Sequence, residues 1–246
     1  MAGGTQAWHG PRIGQWIGQA GVEMADGRLF IGTRRYSSWS LRGWLAVKLA
    51  GLDVEDVVIP LTGGVPGTTS EVARRTPAGL VPYLEHDGNR VWETLAICEY
   101  CAEHQPALWP ESLPARTHAR VIGAEMHAGF RGLRQAMPMV LGREGAAGLG
   151  GTPDALADIA RIEALWRETR TAYGAGGPFL FGAAFNAADA MFAPVVTRLL
   201  TYAPTIAADT RAYCDAVRAH PLVQQWYDLA AQEPLSWRLP HYEGSP

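Results

Sequence analysis

Hydrophobic and polar positions along this chain change period partway, and the change divides it into two kinds of structure. Leu29-Phe30-Ile31-Gly32 is a short buried-strand run, followed by a polar turn over residues 33–38. Leu41, Trp44, Leu45, Lys48 and Leu49 then recur at spacings of three and four, which puts them on one helix face, with Gly51 placed as a C-terminal cap. Residues 54–59 read as a second strand, so strand, helix and strand form a right-handed parallel βαβ unit. A short helix is expected over residues 70–75. Residues 83–86 and 89–92 flank Asp87-Gly88, a dipeptide suited to a type I′ hairpin because both turn positions need positive φ. Residues 94–104 read as a closing helix. From Pro114 onward every long segment has helical periodicity, broken by Gly/Pro clusters at 142–153, 174–178 and near Pro204.

This pattern predicts an α+β fold of two units. Residues 27–104 form a first domain, 105–113 a proline-bearing linker, 114–236 an all-helical second domain and 237–246 a tail. Residues 1–26 hold no sustained period and are expected to lie outside the fold as an extension. Met24 stands just before the first strand, so an early start codon and a functional extension account for this stretch equally well.

Composition narrows the partners. The 246 residues carry 18% charged side chains and a net charge of −3, without the basic excess that a phosphate-binding surface needs, so nucleic acid and anionic membrane are both disfavoured. No run approaches the roughly 20 apolar residues of a membrane span. Three cysteines cannot all pair within the chain, which fits a reducing, cytoplasmic setting.

The candidate chemistry lies in the turns of the first domain. Tyr36-Ser37-Ser38-Trp39-Ser40-Leu41-Arg42 follows the first strand, Leu80-Val81-Pro82 precedes the third, and Glu93-Thr94-Leu95-Ala96-Ile97 opens the closing helix. Phe185-Asn186-Ala187-Ala188-Asp189 has capping-box spacing. Read alone, each has a plainer account: helix-capping serines, a trans proline on an edge strand, a helix start with a favourable acid. Together, on a thioredoxin-like order of elements followed by a helical domain, they resemble the cytosolic glutathione transferases, in particular the serine-type, zeta-like ones. The resemblance runs from about Leu29 to the last helix.

That resemblance implies a site. Ser37, or Ser38 if the register shifts by one, would donate a hydroxyl to the sulfur of glutathione. Val81, before a cis Pro82, would pair with the cysteinyl backbone. Thr94 and nearby amides would hold the γ-glutamyl carboxylate, and Glu93 its ammonium group. Trp39, Met126, Phe130 and Arg134 would line the second-substrate pocket. A free thiol has a pKa of about 8.5; lowering it by two units needs roughly 2.7 kcal/mol of differential interaction, within reach of a hydroxyl donor plus a helix N-terminus. Glutathione is thus the expected co-substrate, a small electrophile its partner, and a homodimer the expected assembly.

Three rival readings differ in chemistry. A zeta-like isomerase would add glutathione to a cis double bond and release it after rotation, and arginines in the pocket would suit such an anionic substrate. A non-catalytic binding module would have no need to keep all three glutathione motifs. A thiol reductase would want a cysteine where Ser37 stands. Cys98-Glu99-Tyr100-Cys101 is a CxxC inside a helix rather than after the first strand, and reads as packed thiols; no second CxxC or close His pair completes a metal site.

Overall fold

Strands β1 (Gly27–Gly32), β2 (Val54–Ile59), β3 (Tyr83–His86) and β4 (Asn89–Trp92) build one mixed sheet in the order β2-β1-β3-β4. The computed structural model describes residues 25–61 and 68–244, so most of the expected N-terminal extension lies outside the described residues. β1 pairs in parallel with β2 and antiparallel with β3, placing Leu29 between Asp56 and Leu84. Asp87 and Gly88 both take positive φ, 48° and 74°, at the hairpin joining β3 to β4, as a type I′ turn requires. Helices α1 (Ser38–Leu49), α2 (Thr68–Arg75) and α3 (Thr94–His104) complete the thioredoxin-like unit.

The rest is helical, as the periodicity predicts: α4 (Leu113–Ala128), α5 (Arg131–Ala136), α6 (Pro153–Tyr173), α7 (Ala187–Tyr202), α8 (Ala208–Ala219), α9 (Pro221–Ala231) and the single turn α10 (Pro240–Glu243). Ser112 and Thr152 cap α4 and α6 with their hydroxyls, and each helix has a proline in its first turn, where a missing N–H does no harm.

Helix α1 belongs to both units. Its residues 40–47 are all buried, and it packs against β1 and α3 on one side and α7 and α9 on the other. Gly43 allows the closest approach, since a Cβ there would lie 2.7 Å from Pro82 Cγ. Trp44 meets Trp226 of α9 with ring centroids 5.4 Å apart. A continuous apolar cluster therefore runs from Leu29 and Leu84 through α1 into Met191, Phe192 and Trp226.

Helix α7, the centre of the helical unit, starts with the capping box expected from Asn186 and Asp189. Asp189 is fully buried, and its carboxylate accepts hydrogen bonds from the Leu180 and Asn186 N–H groups, both 3.1 Å, and from Tyr213 Oη at 2.9 Å. Burial pushes its pKa up to about 6 in spite of these donors. Removing this carboxylate strands three buried donors at once. Asp189→Ala is expected to lower unfolding free energy by about 3 kcal/mol, measured by chemical denaturation; a loss below about 0.5 kcal/mol would show that the box does not organise α7.

Candidate active site

The turn between β1 and α1 delivers two serines into different surroundings. Ser37 is the N-cap of α1: its Oγ accepts from the Ser40 N–H at 3.3 Å and donates to Ser40 Oγ at 2.7 Å, while Ser40 Oγ also accepts from the Gly32 N–H. At 7% exposure Ser37 is buried, and its hydroxyl is occupied by the cap. Ser38 is half-buried and opens α1. Its Oγ accepts from Arg198 Nη2, 3.4 Å away across the two units.

Arg198 is one of three guanidinium groups gathered around this helix start. Arg198, 4% exposed, donates to the carbonyls of Met137 and Pro194 at 2.9 and 3.0 Å. Arg42, 1% exposed, donates to the carbonyls of Met191 at 2.7 Å and Ser38 at 3.3 Å. Arg134 donates to the carbonyls of Met126 and His127. Trp39 lies between Arg42 and Arg134, each with its guanidinium carbon 4.6 Å from the ring centroid. Among the described residues none of the three forms an ion pair with a carboxylate, and Arg42 Nη2 and Arg134 Nε are buried without a partner. Burial lowers all three pKa values, Arg198 to about 10, and the charges of Arg134 and Arg198 add to the effect on Arg42.

The other expected groups lie on adjoining loops. The Val81-Pro82 peptide is cis. Glu93 precedes α3 with φ 73° and ψ 135°, a conformation rarely taken by a residue with a side chain. One carboxylate oxygen accepts from the Thr94 N–H at 2.8 Å and the other pairs with His127 Nε2 of α4, so the carboxylate links the units. Thr94 is fully buried, with Oγ1 unpartnered among the described residues. Of the four residues expected to line a second-substrate pocket, Trp39 and Arg134 meet in the cation cluster. Met126 and Phe130 are packed into the core at 0% and 7% exposure.

Arg42, His127 and Arg198 were not singled out by motif. The available signal at Arg198 is a lone cation in the apolar run Met191-Phe192-Ala193-Pro194-Val195-Val196-Thr197-Arg198-Leu199-Leu200, since arginines are almost never fully buried without a partner. The chain's C-terminal segment also reaches this loop. Glu233 accepts from the Arg34 and Arg35 N–H groups at 2.7 and 3.3 Å, and Glu243 accepts from Tyr36 Oη and from Arg35 Nε and Nη2.

Two family models match the chain: the glutathione S-transferase N-terminal domain over residues 36–104 and its C-terminal domain over residues 140–229. The chain belongs to the glutathione S-transferase family. A relative from Caenorhabditis elegans named "Probable maleylacetoacetate isomerase" is 32% identical over 120 residues, 48% of this chain; the match spans about half of that relative, 54% of its length. Among solved structures, a maleylacetoacetate isomerase from Anaeromyxobacter dehalogenans, holding dicarboxyethyl glutathione and citrate in its active site, is 25% identical with TM-score 0.61. The match covers 87% of this chain and 99% of that one. A glutathione transferase homolog from Burkholderia gl BGR1 with bound glutathione superposes with TM-score 0.63 at 22% identity, covering 84% and 99%, a likeness of fold. No helix among the described residues is long and apolar enough to cross a membrane.

The CxxC is packed within α3. Cys98 and Cys101 are fully buried in α3 and free, as is Cys214 in α8. Burial pushes the Cys98 thiol far up and those of Cys101 and Cys214 up to about 12, suppressing the reactive thiolate. All three are expected to be inert to a chromogenic disulfide reagent in the native protein and to react together on unfolding. A fast-reacting native thiol would contradict their packed role.

Proposed function

We propose that this chain binds glutathione in the cleft between its units, ionises the thiol at the N-terminus of α1 and conjugates it to a small electrophile. The observation that carries this reading is the half-buried Ser38 hydroxyl at the positive end of a buried helix, backed by the Arg198 guanidinium. Membership of the glutathione S-transferase family supports it. Between the two turn serines, Ser37 is occupied as the cap of α1, so Ser38 takes the sulfur and Ser37 holds the turn. Val81 pairs with the cysteinyl backbone, and the N-terminus of α3 at Thr94 receives the γ-glutamyl carboxylate, displacing the Glu93 carboxylate toward the ligand's ammonium group. Trp39 and Arg134 face the electrophile. The proton leaves the thiol for solvent and the thiolate attacks the electrophile, so the protein's contribution is charge stabilisation and positioning. We read the protein as a cytoplasmic homodimer serving detoxification, with no metal.

A second reading keeps the site and replaces conjugation by cis-trans isomerisation of a dicarboxylate. Buried Arg42 and Arg198 and half-buried Arg134, without carboxylate partners among the described residues, favour it, and so does the resemblance to the two isomerase-named proteins. An unsaturated diacid tested beside a chromogenic aryl halide separates the two activities.

With the aryl halide, Ser38→Ala is expected to lower kcat/KM by about 100-fold, the range for losing one donor to a developing anion. Ser37→Ala is expected to cost about 1 kcal/mol of stability as a lost cap and to affect turnover less. If Ser37→Ala is the variant that abolishes turnover while remaining folded, the two roles are exchanged. Glutathione retention without turnover on either substrate would favour the binding module.

A further inference from the structure

Resting on the glutathione reading above, we propose that Arg198 is a positioning residue for the reaction. Its Nη2–H occupies a lone pair of Ser38 Oγ, turning the Ser38 proton toward the bound sulfur and holding a fixed positive charge behind it.

A serine oxygen has one proton to give and two lone pairs to fill. For Ser37 the proton is taken by Ser40 Oγ and a lone pair by the Ser40 N–H. For Ser38 the only side-chain partner among the described residues is Arg198, and a guanidinium can only donate. The Ser38 proton is therefore left for an acceptor on the open side of the helix start. A donor whose own oxygen accepts from a cation is polarised, and hydrogen bonds in such chains reinforce each other. Arg198 is held in place by the carbonyls of Met137 and Pro194, with no carboxylate among the described residues paired to it. A buried cation fixed by neutral acceptors keeps its field for whatever anion arrives.

Other charges around Ser38 act in the same direction or are already paired. Arg42 lies on α1 itself and Arg134 on α5, both cationic and both against Trp39. His127 of α4 packs its ring on Trp39 with centroids 5.0 Å apart and pairs with Glu93, the carboxylate before α3. On α7, Tyr202 Oη accepts from Arg143 and donates to the Pro138 carbonyl. Cys98 on α3 is a buried neutral thiol. On α6, Asp158 accepts from the Leu133 N–H and acts on Arg134. The pH response of the sulfur is thus set by a cation cluster beside two acids that are already occupied, Glu93 by the Thr94 N–H and His127 and Asp158 by the Leu133 N–H. In the step itself the S–H bond breaks, its electron pair stays on sulfur, the proton passes to solvent buffer, and Ser38 keeps its own proton as the donor to sulfur.

The test follows ultraviolet absorbance of the bound glutathione thiolate against pH in wild type, Arg198→Gln, Arg198→Lys and Ser38→Ala, with kcat and both KM values measured in parallel. Arg198→Gln, which removes the charge, is expected to raise the titration midpoint by about one unit and to lower kcat about tenfold near neutral pH, with the glutathione KM nearly unchanged. Arg198→Lys restores part of both. Ser38→Ala shifts the midpoint at least as far, and adding Arg198→Gln to it raises the midpoint by less than Arg198→Gln does in wild type, because part of the effect of Arg198 passes through that oxygen and part through its charge. A folded Arg198→Gln with an unmoved midpoint overturns the proposal, as does a loss confined to the KM of a carboxylate-bearing electrophile. An unmoved midpoint in Ser38→Ala overturns it even if the Gln variant fails to fold. A wild type that binds no glutathione defeats the glutathione reading and this inference together; binding with an unmoved Arg198→Gln midpoint defeats this inference alone.

Discussion

Helix α1 begins where two structural units meet, and the burial of its start constrains everything around it. The first turn of any helix presents unpaired N–H groups and a partial positive charge. Here α7 reaches that end through Arg198, and Ser38 and Trp39 stay half-buried, so the donors there are met by the protein or left open to a ligand. Ser37 and Ser40 settle part of the account by capping, and the carbonyl of Ser38 is taken by Arg42. Ser38 Oγ and the three guanidinium groups then create a positive region that no carboxylate of the described chain neutralises. A site built this way favours an anion with a small, polarisable head, which is what a thiolate offers.

The same constraint explains why the two units have a common core rather than a hinge. Arg42, the fifth residue of α1, reaches the Met191 carbonyl on α7, and Trp44 reaches Trp226 on α9. Glu93 and His127 make a second bridge, and Glu233 and Glu243 tie the chain's end to the loop that carries the serines. Contacts from α7, α9 and the C-terminal segment thereby hold α1 and the turn before it, the rigidity that the proposed catalytic hydroxyl requires when small misplacements are expensive in rate.

Local signals in the sequence were enough for the elements themselves. Asp87-Gly88 specified its hairpin through φ preference, Asn186 and Asp189 specified the start of α7 through side-chain acceptors, and the three-and-four spacing from Leu41 to Leu49 marked α1. The turn serines, Pro82 and Glu93 were legible as motifs for a similar reason, since each sits at an element boundary. What sequence could not reveal depends on contacts between distant positions. Arg198 and Ser38 are separated by 160 positions, and Glu243 and Tyr36 by 207, so no periodicity links them. The difference between Ser37 and Ser38 is likewise invisible in a Ser-Ser dipeptide; it depends on which hydroxyl faces Ser40 and which faces α7. Met126 and Phe130 illustrate the reverse limit: a helical apolar stripe looks the same whether it lines a pocket or fills a core, and the structure packs both inward.

The central claim is that this helix start holds a tripeptide's sulfur as an anion near neutral pH. Calorimetric titration of glutathione in buffers of differing ionisation enthalpy counts the protons released on binding. The account predicts release of most of one proton per glutathione about one pH unit below the pKa of the free thiol, about 8.5, and none from S-methylglutathione, which has no thiol to ionise. Binding of glutathione with no more proton release than its methylated analogue would contradict it.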